Sequence, residues 1–357
     1  MKKKMTILFT GILAALLSSG CAETAEPFVP ETHPAYAEGE GGYLWAHMTH
    51  NNYYKLFYAV SRDAFNWTTL NDGQIIDMAY EGHPDICLGP DGVYRMIAVH
   101  PLRLYSSRDL VTWTKTPLDP EIFEREREYG YTSVSDYGAP KMCYDPRGER
   151  YIITWHASKG MNEDGTAYND WDTMTTFYVT TKDFETFTFP QKLFPYFDGD
   201  DKDMAMIDTI LREVDGKFYA ILKDERKVDV PLPLGSPDTG KSIRICTGDN
   251  ILGPYTNPGP PIVGSNKMWL EAPIFVELPH GSGYAIFMDS YHESPFGYIM
   301  FRSETMEGPW LYRNIKGPNV LDGTDRPGAV HGCIVKGDGK YMAIAAASIL
   351  AKTHRDK

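Results

Sequence analysis

Tyr58-Ala-Val-Ser-Arg-Asp63 followed by Trp67, Leu104-Tyr-Ser-Ser-Arg-Asp109 followed by Trp113, and Tyr178-Val-Thr-Thr-Lys-Asp183 followed by Phe187 are one phrase written three times at one spacing. Two looser copies follow: Ile243 to Asp249 before Gly253-Pro-Tyr255, and Tyr298 to Glu304 before Gly308-Pro-Trp310. Each copy reads as a strand that ends in a hydroxyl residue, a variable residue and an acid, and then turns towards an aromatic side chain. Five copies at intervals of roughly 45 to 75 residues have the period of propeller blades with loop insertions.

Upstream of these copies lie further short apolar runs joined by Gly or Asp turns, such as Asp85 to Leu88 and Val93 to Val99 around Gly89-Pro-Asp-Gly92. The order recurs in Lys141 to Tyr144 with Tyr151 to Trp155, in Thr209 to Val214 with Phe218 to Leu222, and in Ile274 to Leu278 with Tyr284 to Met288. Each unit is expected to be a four-stranded meander that packs beside its neighbours around an axis, because it cannot bury both faces alone. The first copy lacks an inner strand of its own, while Ala329 to Ala347 supplies inner strands without an outer copy. The expected fold is therefore an all-β, five-bladed propeller whose N- and C-terminal strands share one blade. Tyr43 to Met48 and Tyr341 to Ala346 compete for the second strand of that blade. With 13 % aromatic residues there is ample material for a large all-β core.

The N-terminus reads as an export signal: Lys2 to Lys4, then an apolar stretch from Met5 to Leu17, then Ser18-Ser19-Gly20 before Cys21. The apolar stretch is short for a membrane span. A small-residue run ending at a cysteine is the pattern of bacterial lipoproteins, in which the thiol of Cys21 takes the lipid. The organisation expected is a signal at 1–20, a linker at 21–40, the propeller at 41–351 and a tail at 352–357, with the protein lipid-anchored in the bacterial cell envelope. Losing the signal lysines takes the net charge of −13 to about −16, which makes nucleic acid and anionic lipid poor partners. Cys87, Cys143, Cys246 and Cys333 stand far apart in apolar segments and read as buried thiols.

In a closed propeller the innermost strands line the axis, so polar residues at their starts converge. Those starts are His83-Pro84-Asp85, Tyr137-Gly-Ala-Pro140, Ile207-Asp208, Glu271-Ala-Pro273 and Val330-His331-Gly332. Three carboxylates and two histidines then face one cleft, where burying charge without partners is costly. Taken singly, each also has a plain structural reading: Asp208 as a turn cap or a partner of Lys223, Glu271 as a solvated strand end, the histidines as core residues.

The order of these motifs, one for each inferred blade, resembles the five-bladed glycoside hydrolases of family 43. The resemblance covers most of the chain after Cys21. It implies an inverting mechanism, in which one carboxyl protonates the leaving oxygen while another activates water on the opposite face of the sugar. It implies Glu271 as the acid, Asp208 as the residue that tunes and orients it, and His331 as the channel histidine near which a central Ca2+ or water is held, though no cofactor is required. The family has Asp-Pro at the first inner strand, whereas this chain has His83-Pro84 with Asp85 two positions on. Residues two apart share a strand face, so the base is Asp85, His83 or, ahead of the next inner strand, Asp136; Asp85 is preferred.

Trp155 and Trp269, together with Lys141 and Lys223, are candidate substrate contacts, because flat rings stack on sugar faces and polar groups near strand ends meet hydroxyls. The insertions 156–172 and 223–241 are expected to shape the cleft mouth. The function expected is a glycosidase acting on arabinose-, xylose- or galactose-type glycans. The alternatives are a propeller glycosidase that uses His83 in acid or base catalysis, as relatives acting on anhydro-galactose units do, and a carbohydrate-binding envelope lipoprotein without catalysis.

Overall fold

The computed structural model describes residues 33–132, 137–160, 171–197, 204–226, 241–256, 258–262, 269–291, 297–313, 315 and 329–337. The expected signal, Cys21, Asp136, Tyr341 to Ala346 and the tail lie outside them, as do much of both insertions. From Pro34 onward the chain forms one unit built of five antiparallel sheets.

Blade 1 holds β1 (Gly42–Thr49), β2 (Phe57–Ser61) and β3 (Thr68–Thr69). Blade 2 is β4 (Cys87–Leu88), β5 (Tyr94–Val99), β6 (Leu102–Ser107) and β7 (Thr114–Pro117), and blade 3 is β8 (Lys141–Asp145), β9 (Arg150–Ala157), β10 (Thr175–Thr181) and β11 (Gln191–Lys192). Blade 4 is β12 (Met206–Val214), β13 (Lys217–Asp224) and β14 (Ser242–Gly248), and blade 5 is β15 (Leu270–Glu277), β16 (Tyr284–Ser290), β17 (Gly297–Ser303) and β18 (Leu311–Arg313). The last strand, β19 (Ala329–Gly337), pairs with β1 from Gly42↔Gly337 to Thr49↔Ala329 and becomes the inner strand of blade 1. The termini therefore share a blade, with Tyr43 to Met48 as its second strand. Among the described residues blade 4 has three strands, its outer edge reduced to a single bridge between Gly248 and Tyr255. The one α-helix among them is a single turn, Glu121–Glu124.

Alternation along each strand explains why the blades need each other. In β1, Leu44 and Ala46 enter a core with Tyr94, Met96 and Ala98 of blade 2, while Tyr43 and Trp45 enter another with Phe287, Tyr298 and Met300 of blade 5. In β9, Ile153 and Trp155 face blade 2 and Ile152 faces blade 4. Every sheet thus buries both faces, and five apolar cores alternate with five sheets around the ring. The repeat aromatics fall one to each core: Trp113, Phe187, Trp67, Tyr255 and Trp310.

The repeat's polar part builds the corner that follows the third strand. Ser61 Oγ accepts the N–H groups of Asp63 and Ala64, and the Asp63 carboxylate accepts those of Phe65 and Asn66. Ser107 with Asp109, and Thr181 with Asp183, repeat the pattern. The residue after each acid takes a left-handed backbone, φ 68 at Ala64, 64 at Leu110 and 60 at Phe184. A corner this tight leaves its N–H groups facing inward, and the hydroxyl and carboxylate are what satisfy them.

Candidate active site

Three inner strands carry a β-bulge at the residue the sequence points to. Pairing of β12 with β13 slips between Ile207 and Ile210 around Asp208, pairing of β15 with β16 slips just after Glu271, and β19 skips His331 between Val330 and Gly332. Asp208, Ala272 and His331 take left-handed backbones, with φ 51, 46 and 36. A bulge puts two residues opposite one and re-aims a side chain out of the alternation. Here it turns inner-strand side chains to the axial end of the ring.

Glu271 is the hub. Its Oε2 accepts a hydrogen bond from Lys223 Nζ at 3.0 Å, and its Oε1 accepts one from His331 Nε2 at 3.0 Å. Lys223, with only 2 % of its side chain exposed, also lies 2.6 Å from Glu225 Oε2 and donates to the Tyr291 hydroxyl at 3.0 Å. Glu225 is paired in turn with Lys241. Burial works against ionisation of Glu271, but the charges of Lys223 and His331 outweigh it and hold the carboxyl well below its usual range. His331 is the mirror case: burial alone lowers an imidazole, yet Glu271, Asp208 and Asp289 bring its pKa up.

Asp208 is buried beside this hub. Its carboxylate accepts the Ala272 N–H at 3.1 Å, tying blade 4 to the bulge of blade 5. Burial again opposes ionisation, and His156, His331 and Lys141 overcome it, so Asp208 stays ionised. Asp289 ends the second strand of blade 5 directly opposite Glu271 in the register. Burial first, then the charge of Glu271, pushes its carboxyl up to about 7.

On blade 2, His83 is buried with its ring 4.8 Å from that of His331 and edge-on to Tyr53. Burial, and then repulsion from His331, Lys141 and His156, sets its pKa well below that of free histidine. A neutral imidazole can accept a proton, but one so depressed is a weak base. Asp85 lies deeper: its Oδ2 accepts the Met142 N–H at 2.5 Å, and it lines a small cavity with Lys141, Cys143, Thr154 and Arg212. The structure thus brings Asp208, Glu271, Lys223 and His331 together and places Asp85 at a lower level.

The expected substrate contacts fare differently. Trp155, 2 % exposed, is packed between blades 2 and 3 against Phe123 and Phe177, too enclosed to offer a face to a sugar. Lys223 is enclosed too and holds Glu271. Lys141 is 4 % exposed, and its Nζ has no hydrogen-bond partner among the described residues. Trp269 is half-buried, 6.0 Å from Tyr291 and under Lys241. Tyr53, 41 % exposed and edge-on to both His83 and His331, is the ring that sequence reasoning missed. Asp289 and Glu225 were missed as well. Their signal is that second strands run out in ionisable residues: His156 in β9, Lys223-Asp-Glu225 after β13, Asp289 in β16.

A central cation would have to use Glu271, Asp289 and His331, whose ligand atoms lie within 4.8 Å of one another. The donor set suits Ca2+ poorly. Calcium takes six to eight oxygen ligands, whereas both Glu271 oxygens here are engaged and the Lys223 ammonium already supplies the positive charge.

Fold and site together define a five-bladed propeller of the glycoside-hydrolase kind. Residues 94–331 match the glycosyl-hydrolase-43-related family, described as a probable glycosyl hydrolase domain, and the chain belongs to that family. Among solved structures, a thermostable family-43 glycoside hydrolase is 17 % identical with TM-score 0.45, over 66 % of this chain and 74 % of that one. An endo-arabinase from Bacteroides thetaiotaomicron is 14 % identical with TM-score 0.46, over 72 % and 93 %. An exo-β-1,3-galactanase from Clostridium thermocellum is 14 % identical with TM-score 0.47, over 67 % and 50 %. Curated relatives match only locally: ribonuclease HII of Christiangramia forsetii is 82 % identical over 27 residues, 8 % of this chain and 14 % of that protein. Ribonuclease HII of Cytophaga hutchinsonii is 50 % identical over 56 residues, 13 % and 28 %. The chain spans less than a third of the length of these two relatives.

Proposed function

We propose that the protein is a glycosidase cleaving arabinose-, xylose- or galactose-type glycosides by an inverting, two-carboxylate route. The observation that carries this reading is the convergence of Asp208 and Glu271, from successive inner strands, on one buried hydrogen-bonded cluster with His331. Glu271 donates the proton to the leaving oxygen and Asp208 tunes it. In the ligand-free protein Glu271 is an ion-paired carboxylate, so a bound sugar has to weaken its contact with Lys223 or His331 before it can act as an acid. Asp85 is the base, with His83 above it, and Tyr53 gives the sugar ring a face to rest on. Cys21 carries a lipid that holds the protein at the cell envelope.

Glu271→Gln and Asp208→Asn are each expected to lower turnover of the best substrate in an arabinoside, xyloside and galactoside panel by roughly 10²–10⁴-fold without unfolding the protein. Wild-type-like turnover in either variant would sink the assignment. On the same substrate, loss with Asp85→Asn but not with His83→Ala makes Asp85 the base, and the reverse moves the role to His83.

The ion-paired state of Glu271 also favours a second reading, a carbohydrate-binding protein without hydrolysis. Saturable binding of a panel sugar with no turnover across the pH range is the result that would select it.

A further inference from the structure

The charges around Glu271 close on themselves and leave one group over. Lys223 stands between Glu271 and Glu225, and Lys241 pairs with Glu225, so two cations match two carboxylates. Asp289, 2 % exposed, has no cation within ion-pair distance among the described residues. Four titratable groups face it: Glu271 on β15, Tyr298 on β17, His331 on β19 and Lys223 on β13. The His331 backbone N–H points at its carboxyl group, while the His331 ring turns its Nε2 to Glu271 instead. Two carboxyl groups this close in a dry site do not both ionise, and the one without a counter-cation keeps the proton.

We propose that Asp289 holds the proton of this site in the ligand-free protein and passes it to Glu271 when a glycoside enters, acting as a positioning residue through Glu271. The proposal rests on the glycosidase reading above. The step balances: as the Asp289 O–H proton moves to the Glu271 carboxylate, Asp289 becomes the carboxylate and Glu271 the acid. Glu271 then protonates the leaving oxygen as the glycosidic C–O bond breaks with its electron pair on that oxygen. Water adds to the anomeric carbon and loses its proton to the base, and the proton on the base returns to Asp289 through solvent. The upward displacement of Asp289 by burial and by Glu271, set against the downward displacement of Glu271, agrees with this division of labour.

Infrared difference spectroscopy in D2O reads the C=O stretch of a protonated carboxyl group directly and needs no substrate. Wild-type protein is expected to show such a band at pH 6 that fades as pH rises through neutrality. Asp289→Asn should lose that band, while Glu271→Gln should keep it and shift its titration to lower pH, since the neighbouring charge is gone. The Glu271→Gln measurement stands even where Asp289→Asn does not fold. Absence of the band in wild type would put the proton on the His331 imidazole and overturn the proposal, as would a band that survives Asp289→Asn. On the substrate identified by the panel, Asp289→Asn should move the alkaline limb of the kcat/KM profile and leave KM within about twofold, a split that a merely structural role would not give. Failure of the panel with the band intact would count against the glycosidase reading alone.

Discussion

Glu271 sits between two cations, and most of what the site does with protons follows from that. Lys223→Met should leave a buried carboxylate with one partner fewer and destabilise the protein by about 3–5 kcal/mol, read by urea denaturation at pH 7. The sign of the pH dependence follows from the direction of the shift. The folded carboxyl lies below its ordinary value of 4.5, so its ion pair stabilises the fold fully above about pH 4.5 and less as pH falls towards the folded pKa. The gap in stability between wild type and Lys223→Met should therefore narrow on acidification below about pH 4.5. A gap that is constant from pH 7 to pH 3 would mean that Lys223 acts through packing. Glu271, Asp208 and His331 were legible in the sequence because each begins an inner strand. Asp289 was not, since an acid after the apolar run Tyr284 to Met288 looks like any strand end until the register sets it opposite Glu271.

At the scale of elements, two local devices fix where the side chains point. The Ser/Thr-x-Asp corner is one. Asp109→Ala removes the acceptor for the Val111 and Thr112 N–H groups and should cost about 1–2 kcal/mol, with the fold retained, as measured by urea denaturation. The bulge is the other. A Cβ placed on Gly332 would lie 2.2 Å from the Ala46 backbone oxygen, so β19 can hold its close pairing beside His331 only with glycine there. Gly332→Ala should destabilise by roughly 1–3 kcal/mol and should also displace His331 from Glu271, seen as a change in the His331 ring resonances by NMR. The corners were readable because their hydrogen-bonding residues repeat. The bulges were not: Asp208, Ala272 and His331 adopt left-handed backbones without being glycine, a strain of about 1–3 kcal/mol each that only the surrounding sheet can impose.

For the whole molecule, the ring and its shared blade were visible in the repeat, because an outer copy without an inner strand at one end matched an inner strand without an outer copy at the other. The level at which Asp85 sits was not visible, since depth along the axis depends on the twist and stagger of sheets and not on the order of motifs. Removing β19 by ending the chain before Ala329 should expose the β1 edge and strip part of the core shared by blades 5 and 1. The expected outcome is loss of cooperative unfolding and a tendency to aggregate, read by calorimetry and light scattering. The same closure sets a clock. Gly42 finds its partner Gly337 only after nearly the whole chain has been made, and contacts of such sequence separation form slowly because the loop between them must first be ordered. His331 travels on the strand that arrives last, so a chain caught mid-folding holds its acidic residues without the imidazole that organises them, and competence at the cleft dates from the moment the circle shuts.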